Sequence, residues 1–248
     1  MAVIFHKDFY QVYTSDPAAA SGRMEAIIAV IDPRVRIVNA EPASASDIAA
    51  VHSSDHIDRV RHGGLYAISA LAAGGAIQAA QLGLVEPTFG LIRPPGHHAS
   101  ADSSWGFCYF NNMAIAMEAL KRTGKIKSAY VLDIDLHYGD GTVNILEKKD
   151  YVTIYNPEGR DRETFLKQVA GEMEKCAVDL IGISAGFDNH LDDWGGLLRT
   201  EDYREIGRMV REAAQRCKAG YFGILEGGYN HTVLGHNVMA LLEGLSGQ

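Results

Sequence analysis

The sequence predicts an α/β fold in which a single open parallel sheet carries helices on both faces. Short apolar runs of strand length alternate along the whole chain with longer amphipathic runs of helical length. No internal repeat, low-complexity segment or linker interrupts the 248 residues, so we expect one domain that spans residues 1–248. Parallel strands need long crossovers between them, and the amphipathic runs supply these.

The predicted strands are short apolar runs bounded by polar or glycine-rich segments. In chain order they are Val3–Phe5, Val35–Val38, Phe89–Ile92, Ala129–Leu132, Val152–Tyr155, Leu180–Ser184 and Tyr221–Leu225. The predicted helices are the longer runs between them, in which apolar residues recur at helical spacing. They are Gly22–Ile31, Ser54–Arg61, Leu65–Leu82, Asn111–Arg122, Thr142–Glu147, Arg162–Cys176, Thr200–Cys217 and Leu234–Leu245.

Charge and hydropathy restrict the kinds of partner. The formal net charge is -8 and the pI is about 5.7, whereas a protein that binds nucleic acid or an anionic membrane normally presents a basic patch. The alanine-rich run from Ala67 to Leu84 is interrupted by glycine and polar residues, so it predicts a packed helix rather than a membrane span. We therefore expect neither nucleic acid nor a membrane as a partner.

The cysteines and the N-terminal segment indicate the compartment. The chain has three cysteines and no C-x-x-C motif, which favours buried thiols in a reducing environment over a disulfide framework. The segment Met1–His6 reaches charged and aromatic residues too early for a signal peptide. We expect a cytoplasmic protein.

Polar clusters follow four of the predicted strands, where ligands bind in open α/β sheets. The first is Arg93–His98, with the sequence R-P-P-G-H-H. A bare pair of histidines is more often an ordinary loop than a site. Here the prolines and the glycine make a rigid turn that can hold His97 and His98 toward one pocket.

The second cluster follows Ala129–Leu132 and contains Asp133, Asp135 and His137 at alternate positions. In an extended segment this spacing places all three side chains on one side, where they are costly to bury unless a cation or hydrogen bonds satisfy them. Asp-x-His at a strand end is a metal-ligand spacing. Asp140, in a Gly-Asp-Gly turn, is near enough to reach the same pocket. A strand end with simple Asx turns is the alternative.

The third and fourth clusters are weaker when taken alone. Asp188 follows Leu180–Ser184, and it is either a third metal ligand or a turn residue. Tyr229 follows two glycines after Tyr221–Leu225, and it is either a hydrogen-bond donor to a developing oxyanion or a packing tyrosine. All four clusters lie at the carboxyl ends of predicted parallel strands, so we expect them to converge. Together they suit metal-assisted hydrolysis of a carbonyl compound.

Five motifs occur along the chain in this order: R-P-P-G-H-H (Arg93–His98), W-G-F-C-Y-F-N-N (Trp105–Asn112), D-I-D-L-H-Y-G-D-G-T (Asp133–Thr142), S-A-G-F-D (Ser184–Asp188) and E-G-G-Y-N (Glu226–Asn230). Together they resemble the histone deacetylase family, which includes acetylpolyamine amidohydrolases and acetoin-utilisation proteins. The chain resembles a short prokaryotic-type member. The resemblance implies an arginase-like sheet and removal of an acetyl or other short acyl group from an amine by metal-activated water.

The resemblance also implies a metal site. Asp135, His137 and Asp188 look like the ligands of a zinc ion. An Asp2His site accepts Fe(II) as well, so the sequence leaves the native metal open. In the family the backbone around Asp133, Asp135 and His137 binds a structural potassium ion, and the resemblance implies one here.

The remaining roles come from the same resemblance. His98 looks like the general base and later the general acid, with Asp140 orienting it. His97 looks like its electrostatic partner, in contact with Asp133. Tyr229 would polarise the acyl carbonyl. Phe107, preceded by Gly106, looks like one wall of the channel that admits the acylated amine.

The chain departs from the family pattern near the substrate rim. Only Gly63-Gly64 stands where relatives carry a longer segment, and Tyr155–Gly159 replaces a longer loop that contributes to the potassium site and the rim. We hypothesise a more open entrance and looser selectivity. A homo-oligomer in which a second copy completes the rim is an interpretation that the sequence leaves open.

The substrate and the class of function have alternatives. Polyamine-selective relatives place a glutamate where Trp194 and Gly195 stand, which weakens a polyamine assignment. Acetyl-lysine in a protein, an acetylated polyamine and another acylated amine all stay open. An arginase-type ureohydrolase would need additional Asp and His ligands in Asp-x-His-x-Asp patterns, whereas the order after Ala129–Leu132 is Asp-x-Asp-x-His and only three ligands are evident. A non-catalytic acyl-ligand binder would have lost Tyr229, His98 or a metal ligand, and none is lost.

Overall fold

The computed structural model describes residues 1–248 and contains one sheet of seven strands. All seven predicted strands are present, and their ends differ from the predicted ones by at most two residues. The strands are β1 (Ala2–Phe5), β2 (Arg36–Asn39), β3 (Thr88–Gly90), β4 (Ala129–Asp133), β5 (Val152–Tyr155), β6 (Leu180–Ala185) and β7 (Gly220–Leu225).

Eight α-helices lie between consecutive strands, and a ninth follows the last strand. The eight predicted helices are all found, and the short helix α2 and three 3-10 turns, at Lys7–Tyr10, Pro17–Ala19 and Asp32–Arg34, were not predicted. The helices are α1 (Arg23–Ile31), α2 (Ala45–Ala49), α3 (Ser54–His62), α4 (Tyr66–Gly83), α5 (Asn112–Arg122), α6 (Asp140–Leu146), α7 (Arg162–Lys175), α8 (Thr200–Cys217) and α9 (His231–Ser246).

The strand order is β2-β1-β3-β7-β6-β4-β5, and every neighbouring pair is parallel. Helices α4 and α5 pack together, with α4 against β1, β3 and β7, while α1, α7, α8 and α9 pack as a second group in which α8 contacts β6 and β7. The predicted α/β fold with a parallel sheet is therefore confirmed. Because both faces are covered, β4 and β6 are buried along their whole length.

Side-chain caps fix where several helices begin. Ser53 accepts a hydrogen bond from the His56 N–H at the start of α3, and Asn111 accepts one from the Ala114 N–H at the start of α5. Asp161 caps α7 in the same way. None of the helices combines the length and the apolar character that crossing a bilayer requires.

Candidate active site and metal centre

The four central strands β3, β7, β6 and β4 lie side by side, so the segments that follow them meet at one edge of the sheet. The site residues singled out from the sequence lie in these segments, except for Asp133, which is the last residue of β4. Helix α6 begins two residues earlier than predicted, which makes Asp140 its first residue and turns its carboxylate back toward the sheet edge.

Asp135, His137 and Asp188 come together as a group of potential metal ligands. One ligand atom from each lies within 4.8 Å of the other two. Nδ1 of His137 is 3.3 Å from Oδ1 of Asp135 and 3.1 Å from Oδ2 of Asp188. The other oxygen of each carboxylate accepts a backbone N–H: Gly227 donates to Asp135 at 2.9 Å, and Leu136 donates to Asp188 at 3.0 Å. The two carboxylates are thus held in a fixed orientation.

The electrostatics of this group favour a cation. Burial and the charge of Asp135 raise the pKa of Asp188 to about 7. Two hydrogen bonds, one to Asp135 and a second to Asp188, raise the pKa of His137 to about 10. The two carboxylates therefore attract positive charge to the point between them and the imidazole, which a divalent metal would supply.

Gly227 leaves room for such an ion. A Cβ at this position would lie 2.6 Å from Oδ2 of Asp135 and 2.7 Å from Oδ2 of Asp188. Only glycine keeps the space between the two carboxylates open while its N–H holds one of them. The donor set, two carboxylates and one imidazole, fits a zinc or ferrous ion that keeps further coordination positions for water or substrate.

Two His–Asp pairs lie beside the metal ligands. Nδ1 of His98 is 2.7 Å from Oδ1 of Asp140, and Nδ1 of His97 is 3.1 Å from Oδ2 of Asp133. A carboxylate only accepts hydrogen bonds, so both histidines carry a proton on Nδ1. The ring centroids of His97 and His98 are 4.0 Å apart.

The two histidines differ in charge. Burial and the neighbouring charge of His97 lower the pKa of His98 to about 4, so His98 is neutral near pH 7 with a free lone pair on Nε2. Burial alone would lower the pKa of His97, but Asp135 and Asp133 raise it well above the ordinary value. His97 is therefore a buried cation beside a neutral base.

Glu226 is a further buried acid below His97, and it had no predicted role. Its Oε2 accepts the backbone N–H groups of Gly96 at 2.7 Å and His97 at 3.3 Å, which fixes the turn that carries both histidines. Burial raises its pKa to about 7. His97, Cys108 and Glu226 form a second group of potential metal ligands, but the charge on His97 disfavours a metal there.

Tyr229 lies on the loop after β7, and its side chain is half-buried. Burial and the charge of Asp135 raise its pKa, so the phenol keeps its proton and can donate it in a hydrogen bond. Asp193 Oδ2 accepts the backbone N–H groups of Tyr229 at 2.7 Å and Asn230 at 2.8 Å. Asp193 therefore joins the loop after β6 to the loop after β7.

The mouth of the site is a small aromatic cavity of about 110 Å³. Phe107 meets the ring of Tyr229 edge-on, at 5.9 Å between centroids. Trp194 stacks on Tyr229 at 4.1 Å, and Trp105 stacks on His98 at 3.8 Å. No carboxylate or primary amine lines the cavity, whose lining residues are Pro95, His97, His98, Trp105, Gly106, Phe107, His137, Trp194, Gly227 and Tyr229.

Arg23 holds the loop that precedes Tyr229, and nothing in the sequence indicated this role. This fully buried guanidinium donates to the backbone carbonyls of Glu226 at 2.6 Å and Gly228 at 2.8 Å. Its partners lie more than 200 residues away along the chain, and it lies at the start of an ordinary amphipathic helix. Local patterning carries no signal for such a contact.

The sequence matches the family model described as "Histone deacetylase domain" over residues 62–165 and 157–245, which together cover most of the chain. The chain belongs to the histone deacetylase family. This confirms the resemblance on which the site residues were assigned.

Relatives within the histone deacetylase family match the chain nearly end to end. A "Probable deacetylase" from Methanothermobacter thermautotrophicus is 31% identical, covering 99% of this chain and 91% of the relative. A "Histone deacetylase-like amidohydrolase" from Pseudomonas aeruginosa is 28% identical, covering 93% of this chain and 79% of the relative. Membership of this family of deacetylases and amidohydrolases supports a hydrolase that acts on acetylated amines.

The fold has a close counterpart among solved structures. The crystal structure of the HDA15 HD domain superimposes with a TM-score of 0.85, covering 99% of this chain and 89% of that chain at 23% sequence identity. The predicted arginase- and deacetylase-like architecture is confirmed. Family membership also suggests a divalent metal, in agreement with the ligand group formed by Asp135, His137 and Asp188.

Proposed function

We propose that residues 1–248 form a single catalytic domain that removes an acetyl or other short acyl group from an amine in a zinc-dependent reaction. One observation carries the proposal: a three-residue metal-ligand group lies beside a neutral His98 and the half-buried Tyr229, around one small cavity. A base, a hydrogen-bond donor and a metal are the components that hydrolysis of an amide requires.

Asp135, His137 and Asp188 would hold the zinc ion. When bound, it supplies Lewis acidity to the acyl carbonyl and to the attacking water. Ferrous iron suits the same donors. We also propose that a potassium ion binds near the backbone of Asp133, where it would have a structural role only.

The side chains of the chain handle the protons. His98 accepts a proton from the attacking water on Nε2, while Asp140 holds Nδ1–H and stabilises the imidazolium that forms. Tyr229 donates its O–H hydrogen bond to the carbonyl oxygen as negative charge develops there. Asp133 keeps a proton on Nδ1 of His97, and this polar N–H group beside His98 favours the same charge.

His98 then gives its proton to the leaving nitrogen as the carbon–nitrogen bond breaks. The products are a carboxylic acid, acetate when the acyl group is acetyl, and a free amine. One water is consumed, and His98 returns to its neutral form.

The lining of the cavity favours, as substrate, an acylated amine whose stem carries no charge. Its lining contains no carboxylate that could pair with a second ammonium group, and Asp193 is already engaged by two backbone N–H groups. We therefore place acetyl-lysine and similar acylated amines before acetylated polyamines as substrates.

The decisive experiment measures acetate release by the zinc-loaded protein from acetyl-lysine peptides, acetylputrescine and acetylspermidine. We expect release that His98→Ala abolishes, with the best rate among the peptides. Absence of release from every substrate, with one zinc bound per chain, would refute the deacylase proposal.

A further inference from the structure

The chain has two tryptophans, and both lie at the mouth of the cavity. Trp105 is 55% exposed and Trp194 is 53% exposed, which is high for the largest aromatic side chain. Each ring stacks on a residue of the proposed site: Trp105 on His98 and Trp194 on Tyr229. The two differ in one respect, because only Trp105 also uses its indole N–H within the protein.

The indole of Trp105 shares a carboxylate with His98. Nε1 of Trp105 donates to Oδ2 of Asp140 at 2.9 Å, and Nδ1 of His98 donates to Oδ1 of the same carboxylate at 2.7 Å. Each oxygen thus has its own donor, and the plane of the carboxylate is fixed by both. Hydrogen bonds to an ionised carboxylate are stronger than those between neutral groups.

The exposure of Asp140 explains why a second donor matters. Its side chain is 37% exposed, whereas His98 is buried. Without Trp105, Oδ2 would face water, and the carboxylate could turn away from His98 about its last side-chain bond. The stacked indole also covers one side of the imidazole, while His97 packs at 4.0 Å from it.

The backbone directly after Trp105 also lies close to the imidazole of His98. Gly106 and Phe107 both have positive φ, at 57° and 66°. A Cβ at Gly106 would overlap Cδ2 of His98. Positive φ at a bulky residue such as Phe107 persists only where the surroundings impose it. The segment is therefore built to hold close contact with His98.

We propose that Trp105 is a positioning residue for His98, which acts by stacking on the imidazole and by fixing the carboxylate of Asp140 that orients it. This inference rests on the proposed function, since it assigns His98 the proton transfers. Trp105 itself exchanges no proton.

The first test separates positioning from simple lining of the cavity. Trp105→Phe keeps a ring over His98 and removes the donor to Asp140, so we expect kcat to fall about 3- to 10-fold while KM changes less than about 2-fold. Trp105→Ala removes both contacts and lowers kcat further. The control is Tyr66→Phe, an aromatic position outside the cavity whose ring packs on Phe110, which should change neither kcat nor KM.

The second test asks whether the effect passes through Asp140. In an Asp140→Ala background the donor has no acceptor, so adding Trp105→Phe should lower kcat by less than about 2-fold further. The same 3- to 10-fold loss in both backgrounds would overturn the role of Asp140. An unchanged kcat for Trp105→Phe in the wild-type background would overturn the proposal altogether.

The third test needs no turnover. With two tryptophans, a 15N-labelled sample gives two indole N–H signals, and Asp140→Ala should shift one of them and speed its exchange with water. If neither signal responds, the hydrogen bond is absent in solution and the proposal fails. If one responds but the wild-type protein releases no acetate, the proposed function fails while the link from Trp105 to Asp140 is supported.

Discussion

Arg23 Nε donates a hydrogen bond to the carbonyl oxygen of Gly228 at 2.8 Å, joining residues that lie 205 positions apart. Gly228 immediately precedes Tyr229, so the first helix of the chain helps to set the position of a side chain in the last loop of the site. The same guanidinium holds the carbonyl of Glu226, and Arg23 is fully buried.

Replacing this guanidinium should cost stability. Arg23→Met keeps the length of the side chain but leaves buried carbonyls without a donor, so we expect the free energy of unfolding to fall by about 2–4 kcal/mol. Urea denaturation measures this. Arg34→Met is the control, because Arg34 makes an exposed ion pair with Glu243 and should cost less than about 1 kcal/mol. Equal losses for the two variants would contradict the role of Arg23.

Removing the phenolic hydroxyl of Tyr229 should slow turnover without loss of metal. Tyr229→Phe keeps the stack with Trp194 and removes the donor to the developing oxyanion, so we expect kcat to fall roughly 100-fold or more. Metal analysis of the same sample should give unchanged content. The control is Tyr203→Phe, at a buried position outside the cavity, for which kcat should stay within about 3-fold of the wild-type value. Full activity of Tyr229→Phe would show that its assigned role is wrong.

Gly106→Ala should displace His98. The new Cβ overlaps the imidazole, and a displacement of about 1 Å in a catalytic group can cost about 100-fold in rate. Gly64→Ala is a matched control, since Gly64 also has positive φ, at 75°, but no atom lies within 4 Å of the place that a Cβ would take there. Both variants should lose similar stability in thermal unfolding, and only Gly106→Ala should lose acetate release. Retained acetate release by Gly106→Ala would contradict the prediction, because it would show that the new Cβ does not displace His98.

His52 should make the fold sensitive to acid. Its Nδ1 donates to the carbonyl of Ser100, and its Nε2 accepts the N–H of Asn111, both at 2.9 Å, so only the neutral ring satisfies both partners. Burial, with the charge of His56, lowers its pKa from 6.5 to about 4. Between these values the unfolded chain binds more protons, so the stability present above pH 6.5 falls by about 3 kcal/mol as the pH approaches 4.

Denaturation at pH 7 and pH 4.5 tests this dependence. His52→Gln offers the same donor and acceptor without titrating, and it should lose less stability between the two pH values than the wild type. His62→Gln, at an exposed position, should behave like the wild type. If all three proteins lost equal stability, the acid sensitivity would have another origin.

One divalent metal ion should bind per chain. Chelation should abolish acetate release and lower Tm, because an ion that binds only the folded state stabilises it, and one equivalent of zinc should restore both. Asp188→Ala removes a ligand, so zinc should no longer raise its Tm. Asp192→Ala, at an exposed neighbouring position outside the ligand group, should respond as the wild type does. Zinc bound equally well by Asp188→Ala would exclude this site.

The inner strands of the sheet were predictable because they are buried on both faces and therefore read as continuous apolar runs, whereas the edge strands β2 and β5 are largely exposed or half-buried. Strand β3 shows the limit of that signal: Leu91 and Ile92 are as apolar as the strand itself, yet the ladder ends at Gly90. Helix α2, of five residues, was missed because a single turn and a half gives no measurable periodicity.

The site was predictable where its residues follow strands, since parallel strands bring their carboxyl ends to one edge. Trp105 stood within a recognised motif, but its bond to Asp140 depends on how two loops approach each other. Arg23 and Glu226 were not foreseen for the same reason. Contacts between distant segments, and a carboxylate that binds backbone N–H groups, leave no trace in local spacing.

Strand β7 is the last strand to be synthesised, yet it lies in the middle of the sheet between β3 and β6. During translation, the sheet edge formed by β3 stays unpaired until residues 220–225 have left the ribosome. Contacts of such long sequence separation favour slow folding. A nascent or truncated chain that lacks this strand would present two unpaired, apolar edges, a form that chaperones bind and that tends to aggregate.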